Sequence, residues 1–321
     1  MLPEDTSSLA AGLPAHLRDP ATTITRVAAG LSGAGVYRVD AAGQTFVLKV
    51  GGESELLTNW HRTLRIQQLA ADAGLAPRII HVDAARRAIV SAFVTDRSFL
   101  GLYANPATRD TAVDLLGNTV RRVHELPLPQ DEGAQDARDF LSRIWSGLPE
   151  SFSMPAFVGH AVRGMLAERP PASNRPTVLS HNDVNPTNLV YDGEHLLFFD
   201  WDTAGPNDPF YDLATASVFL RMDETTCLRL LSAHDGEPVG LLPGRFNHDR
   251  RLAAVLCGTV FLHLARIAGY PGATGPESDD SPLSLGEFYQ QMRTGAVSLR
   301  AAEGQWAFGL ALVKESLSVS P

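Results

Sequence analysis

The sequence predicts an α+β chain in two parts: a small β-rich segment over residues 1–95, five strands with one inserted helix, and a larger, mainly helical segment over residues 96–321. Three observations predict this. β-Branched runs cluster before residue 95, and apolar residues fall at helical spacing from Thr108 onward. In the second part, the Asp192-Gly193 dipeptide between two apolar runs marks an isolated hairpin.

Thr22–Ala28 reads as the first strand and leads into the glycine-rich stretch Gly30–Gly35. Val36–Asp40 and Thr45–Val50 form a hairpin about the turn Ala41–Gly43. A helix over Leu57–Ala73 follows, with Leu64, Ile66 and Leu69 on its apolar face, Gly74 at its end and Pro77 preventing continuation. Arg78–Val82 and Ala88–Val94 complete the strands. Beyond Thr108, helices are expected at 108–126, 135–147, 155–167, 208–221, 245–268, 284–299 and 304–317, with a short strand at Thr177–Leu179. Gly272–Pro282 reads as a polar loop.

Composition narrows the partners. Lys and Arg total 27 against 36 Asp and Glu, a net charge of -9, which disfavours nucleic acid as the main ligand. The longest apolar stretch, Leu252–Leu264, is interrupted by Gly258 and His263, so no membrane span is expected. The N-terminus lacks the basic and apolar regions of a secretory signal, which makes a cytoplasmic location the expectation. Cys227 and Cys257 read as core thiols.

The chemistry concentrates between His181 and Asp202. His181, Asp183 and Asn188 follow the spacing H-x-D-x-x-x-x-N and lie directly before the hairpin Leu189–Tyr191/Leu196–Phe199, which ends on Asp200-Trp201-Asp202. Phosphoryl transfer needs a carboxylate beside the attacking hydroxyl and oxygen ligands that hold Mg²⁺ against the phosphates. Asp183 suits the first task; Asn188 and Asp200 suit the second, because the nearly equal hairpin arms bring them together. Asp202 can contact a second Mg²⁺ or the substrate, or lie on the rim. His181 with Asp183 is also conceivable as the start of a metal hydrolase site, but no further histidine follows at ligand spacing.

Leu179–Ser217 resembles the catalytic segment of the aminoglycoside phosphotransferase and choline kinase superfamily. Its His-Asn-Asp form, followed by Phe-Phe-Asp-Trp-Asp-Thr-Ala-Gly-Pro, is most similar to bacterial choline and thiamine kinase-like members; many aminoglycoside enzymes carry His-Gly-Asp there. The segment Leu-Ser-Gly-Ala-Gly-Val-Tyr-Arg-Val, by contrast, is similar to aminoglycoside 3′-phosphotransferases. The resemblance spans about residues 22–220. It implies a bilobal protein-kinase-like fold, with residues 1–95 as the nucleotide-binding lobe and 96–321 carrying the catalytic loop and acceptor site.

The resemblance also implies roles. Ser32, Gly33 and Ala34 would cover the ATP triphosphate, Lys49 would contact its phosphates, and the backbone from Ser91 to Phe93 would meet adenine. His181 would brace the catalytic loop, and Asp212 would cap a helix or accept backbone N–H groups from that loop. The helix glutamate that pairs with the strand lysine in this superfamily is missing: the matching turn reads His61-Arg62-Thr63-Leu64, leaving Glu53 and Glu55 as substitutes. That absence motivates a second reading, a non-catalytic ATP-binding relative. As a kinase, the chain would use ATP and Mg²⁺ on a small hydroxylated, cationic acceptor: choline, ethanolamine or thiamine first, an aminoglycoside second. Trp201, Phe210, Tyr211, Phe261 and Tyr289 are the candidate aromatics for a cation cage; Asp223, Glu224, Glu277, Asp279 and Asp280 are the candidate acids for a broad cleft.

Overall fold

Alternation along the first strands turns one set of side chains inward while the backbone pairs sideways into a sheet. In a computed structural model describing residues 6–27, 35–52, 57–129, 136–273 and 283–319, a short helix α1 (Thr6–Ala11) precedes strands β1 (Thr23–Arg26), β2 (Gly35–Ala41) and β3 (Gln44–Val50). Helix α2 (Leu57–Asp72) is inserted before β4 (Ile79–Asp83) and β5 (Ala88–Ala92). The five strands are antiparallel in the order β1-β2-β3-β5-β4. Leu48, Phe46, Val39 and Val90 fill the inner face together with Leu13 and Leu17. Strand β3 is central, so Lys49 sits between Val36 and Ile89, on the face opposite to Leu48.

Next come α3 (Phe99–Ala104), α4 (Arg109–His124), α5 (Ala137–Ser146), α6 (Ala156–Ala167) and β6 (Val178–Ser180). The hairpin β7 (Leu189–Tyr191)/β8 (Leu196–Phe198) and strand β9 (Gly205–Asn207) lead into α7 (Pro209–Phe219). Helices α8 (Glu224–Asp235), α9 (Gly244–Ile267), α10 (Leu285–Thr294) and α11 (Ala302–Ser316) complete the chain. Helices α1, α3 and α8 were not expected from the sequence. The first two are six residues long, too short for a periodic signal, while α8 starts on Asp223, whose side chain accepts from the Thr226 N–H. Helix α10 ends five residues before the expected 299, because Gly295 adopts a left-handed backbone (φ 75°).

The chain divides into two compact units, Met1–Leu115 with Thr187–Ala204, and Leu116–Pro186 with Gly205–Pro321. The sequence reading drew a single boundary near residue 95. Hairpin β7/β8 joins the first unit through hydrogen bonds from Phe198 N to Leu75 O (2.8 Å) and from Arg97 N to Tyr191 O (2.7 Å). Among the described residues, no helix is long and apolar enough to cross a membrane.

The second unit is built around α7, whose eleven residues are all buried, as its nearly unbroken apolar composition requires. Helices α9 and α11 pack closely where Gly258 faces Gly309. A Cβ at Gly258 would stand 2.8 Å from the Gly309 carbonyl oxygen and 2.7 Å from Val313 Cγ2. Gly258→Ala is therefore expected to destabilise the protein by about 1–3 kcal/mol despite alanine's better helix propensity. Urea unfolding checks this; unchanged stability would show that the helices separate freely.

Candidate active site

In the first unit the site is a charge cluster on the open side of β3. The register of β7 and β8 sets Leu189 against Phe198, and the Phe199 N–H donates to the Asn188 carbonyl at 2.8 Å. Asn188 is thereby fastened beside the residue preceding Asp200, as the equal hairpin arms require. Asp200 itself takes a left-handed backbone (φ 59°), a conformation that aspartate adopts more readily than most side chains, and the chain then enters a single 3-10 turn, Trp201–Thr203.

Lys49 reaches this turn. Its Nζ donates to Asp200 Oδ1 at 2.9 Å and to Asp202 Oδ1 at 2.7 Å. Burial works against the ammonium charge, yet the two carboxylates outweigh it and hold the Lys49 pKa above the ordinary lysine value. Burial raises the Asp202 carboxyl, against the pull of Lys49, and the neighbouring Asp200 charge adds to the rise. The lysine thus has two acidic partners from the hairpin end, in place of one from the helix.

Helix α2 contributes a base instead. Arg62 donates to the main-chain oxygens of Asp202 (2.8 Å) and Ala204 (2.6 Å), clamping the turn by its backbone. Sequence reasoning registered Arg62 only as the absence of an acid. Glu53 and Glu55, the substitutes considered, lie outside the described residues, as do Ser32, Gly33 and Ala34. Ser91 is buried inside β5, flanked by Val47 on β3 and Ile79 on β4, so its backbone groups point into the sheet. Phe93 is the first of the adenine candidates beyond the strand; it is 40% exposed, and the Arg38 guanidinium lies over its ring at 5.2 Å.

In the second unit the site is a turn held by one carboxylate. Strand β6 pairs with β9, setting Ser180 opposite Gly205, and the chain then turns through Asn182 in the left-handed region (φ 64°). Two successive amides of this segment meet α7. His181 N donates to Asp212 Oδ2 at 2.8 Å, and Asn182 N to Asp212 Oδ1 at 2.7 Å. His124 Nε2 makes a third contact with Oδ2 at 3.0 Å. Burial would raise the Asp212 carboxyl, but the hydrogen bond from His124, the charges of His124 and His181 and the backbone amide together hold it below the usual carboxylate range. Asn207 Nδ2 donates to Asn182 Oδ1 at 2.7 Å and fixes the turn from its other side.

Asp183 follows this pinned pair, half-buried, and accepts from Asn185 Nδ2 at 2.8 Å. His181 is fully buried and contributes its backbone amide to the brace. The aromatic cage candidates fall in the core. Trp201 is buried, Phe261 and Tyr289 pack with Phe308, and the Phe210 face lies under Arg175 at 4.3 Å. Both cysteines are free, and burial pushes Cys257 up to about 12.

The donor set bears on a metal ion. Among the described residues, no three His, Cys, Asp or Glu side chains form a metal-binding group. Mg²⁺ in phosphoryl-transfer sites usually takes only one or two carboxylates from the protein, the phosphates and water supplying the rest. Asn188 beside Asp200, with a cation already drawn to Asp200, fits that requirement.

Comparison with known proteins agrees with this chemistry. Residues 23–245 match the sequence model of a family described as phosphotransferase enzymes. A 35-residue segment is 46% identical to the protein LicA of Haemophilus influenzae, over 11% of this chain and only 13% of that protein's length. The fold is similar to that of a choline/ethanolamine kinase family protein from Mesorhizobium loti (TM-score 0.59, 20% identity, 98% of this chain and 96% of that one). It is also similar to a spectinomycin phosphotransferase solved with ADP and spectinomycin (TM-score 0.56, 14% identity, 89% and 92% covered).

Asp212 gives a pH-dependent prediction. Its native pKa lies below the unfolded value of about 3.9, so its stabilisation is fully present above that pH and is lost as pH falls through the native pKa. Asp212→Asn is expected to cost about 3–5 kcal/mol near neutrality. The deficit against wild type should shrink as denaturation is repeated below about pH 4; a deficit constant with pH would show that the charge is not what stabilises.

Proposed function

Because the chain belongs to the phosphotransferase enzyme family, we propose that it transfers the γ-phosphoryl group of ATP to a hydroxyl of a small cationic molecule, an amino alcohol such as choline, ethanolamine or thiamine. The observation that carries this reading is the contact of Lys49 with Asp200 and Asp202, which gathers a phosphate-binding cation and a metal-binding carboxylate from segments about 150 residues apart. The whole-length likeness to a choline/ethanolamine kinase family protein favours an amino alcohol.

In this mechanism the acceptor hydroxyl donates its proton to Asp183 as its oxygen attacks the γ-phosphorus in line. The bond between the γ-phosphorus and the β,γ-bridging oxygen breaks, and ADP carries the electron pair away. Lys49 contacts the phosphate oxygens. Asn188 and Asp200 would hold Mg²⁺, which when bound supplies neutralisation of phosphate charge. The backbone beginning at Phe93 is the remaining part of the Ser91–Phe93 segment open to adenine, since the amides of Ser91 and Ala92 are committed to the sheet. Ser32, Gly33 and Ala34 remain the candidates for covering the triphosphate.

An aminoglycoside acceptor is the second reading, favoured by the glycine-rich wording near residue 33 and by the likeness to a spectinomycin phosphotransferase. A non-catalytic role loses its motive, because Lys49 has acidic partners without a helix glutamate.

An ADP-release screen with Mg·ATP over amino alcohols, vitamins, sugars and aminoglycosides tests these readings. Turnover is expected with an amino alcohol; ATP binding with no acceptor phosphorylated across the panel would overturn the kinase reading. Asp183→Ala should lower kcat by about 10²–10⁴-fold while nucleotide affinity stays within about twofold. Lys49→Met should instead weaken nucleotide binding and turnover together.

A further inference from the structure

The second unit contains a buried row of polar side chains that the roles above leave unused. His124, at the end of α4, meets Asp212 through Nε2. Its other nitrogen, Nδ1, lies 2.9 Å from His234 Nε2 on α8. His234 Nδ1 in turn lies 2.8 Å from Asp235 Oδ1, and Arg175 grips both oxygens of Asp235. The two rings are almost wholly buried, and their edges meet at 67°.

The number of protons follows from the contacts. Asp212 accepts from the His181 amide and His124 on Oδ2 and from the Asn182 amide on Oδ1, and these three donors hold its carboxyl below the usual carboxylate range, so that it stands ionised. Asp235 is equally committed, to Arg175 through both oxygens and to His234 through Oδ1. Both carboxylates are therefore acceptors, and the outer nitrogens, His124 Nε2 and His234 Nδ1, carry hydrogens. An N–H on His234 Nδ1 also follows from the Asp235 distance; the Arg175 approach to the same nitrogen, 3.5 Å, is at the outer margin of a hydrogen bond. Between the inner nitrogens, no proton would set lone pair against lone pair at 2.9 Å, and two would set N–H against N–H. Only one proton makes a bond.

We infer that His124 and His234 carry three ring protons on four nitrogens, as an imidazole–imidazolium pair with one positive charge, and act as positioning residues for Asp212 and the Asp183 turn. The charges then balance along the row: Arg175 positive, Asp235 negative, the pair positive, Asp212 negative. The other charged or titratable groups facing it include His181 and Tyr211 beside Asp212, and Arg121. The Arg121 guanidinium closes on Gly236 and is itself engaged by Asn118 and Glu125. Burial first, and then the charges of His124 and Arg175, lower the His234 proton affinity against the pull of Asp235, as expected where one ring stays neutral.

A second proton would place two cationic rings N–H to N–H, and removal of the shared one would leave two facing carboxylates with a single guanidinium. Either change is disfavoured, so the single charge is retained and with it the grip on Asp212.

Two-bond ¹H–¹⁵N correlation spectra of the full chain labelled with ¹⁵N-histidine test the proton count directly. They are assigned with His124→Gln and His234→Gln, or by through-space contacts if a variant does not fold. Between about pH 6 and 8, three protonated nitrogens and one unprotonated or exchange-averaged partner are expected. Two or four protonated nitrogens in the pair would overturn the inference.

The positioning role rests on the kinase reading and is tested separately. His234→Gln, which keeps hydrogen-bonding groups but cannot carry the charge, should lower kcat about 10–100-fold with the ATP KM unchanged, and should move the acid limb of the pH–kcat profile. A profile identical to wild type would remove that role. An enzyme inactive towards every acceptor would sink the kinase reading and leave the spectroscopic answer standing.

Discussion

A buried carboxylate must have its lone pairs answered, and the second unit is organised around answering those of Asp212. Fully buried on α7, it is met by two successive amides and a histidine. The geometry this demands is specific: two successive amides must meet one carboxylate, and the left-handed backbone at Asn182 then sets the direction in which the chain leaves the pinned pair. Asp183 is the next residue, so its placement follows from an electrostatic requirement one turn inside the protein. An apolar α7 without Asp212 would pack well and leave the turn unspecified.

In the first unit the corresponding requirement falls on a cation. Lys49 lies on a central strand with its ammonium partly removed from water, a position that is costly without acid. Its acids come from the end of the β7/β8 hairpin, held to the unit by the bonds from Phe198 to Leu75 and Arg97 to Tyr191. The hairpin therefore serves two ends: its register places Asn188 against Phe199, and its terminus delivers Asp200 and Asp202.

Local chemistry was readable from the sequence. The Asp-Gly turn marked the β7/β8 hairpin, and the segments carrying Asp183, Asn188 and Asp200 fall nearly where the sequence places them. What was not readable was the choice of partner between distant segments. The acids that meet Lys49 lie 151 and 153 residues away, and His234 lies 110 residues from His124 on a helix whose composition announced nothing. Arg62 was visible only as the wrong charge, because a side chain that binds main-chain oxygen leaves no complementary residue to find. The packing of the aromatic candidates was equally illegible: Trp201 is buried, while Phe261 and Tyr289 lie partly buried against Phe308.

The clamp from Arg62 separates two tasks that a single ion pair would merge. A guanidinium bound to carbonyl groups is indifferent to the side chains those residues carry, since every amino acid offers the same oxygen. The shape of the turn after Asp200 is thus insulated from the identity of residues 202 and 204, whereas the charge balance at Lys49 depends on Asp200 and Asp202. Changes at Asp202 can retune the electrostatics around the lysine while the scaffold beneath stays as it is.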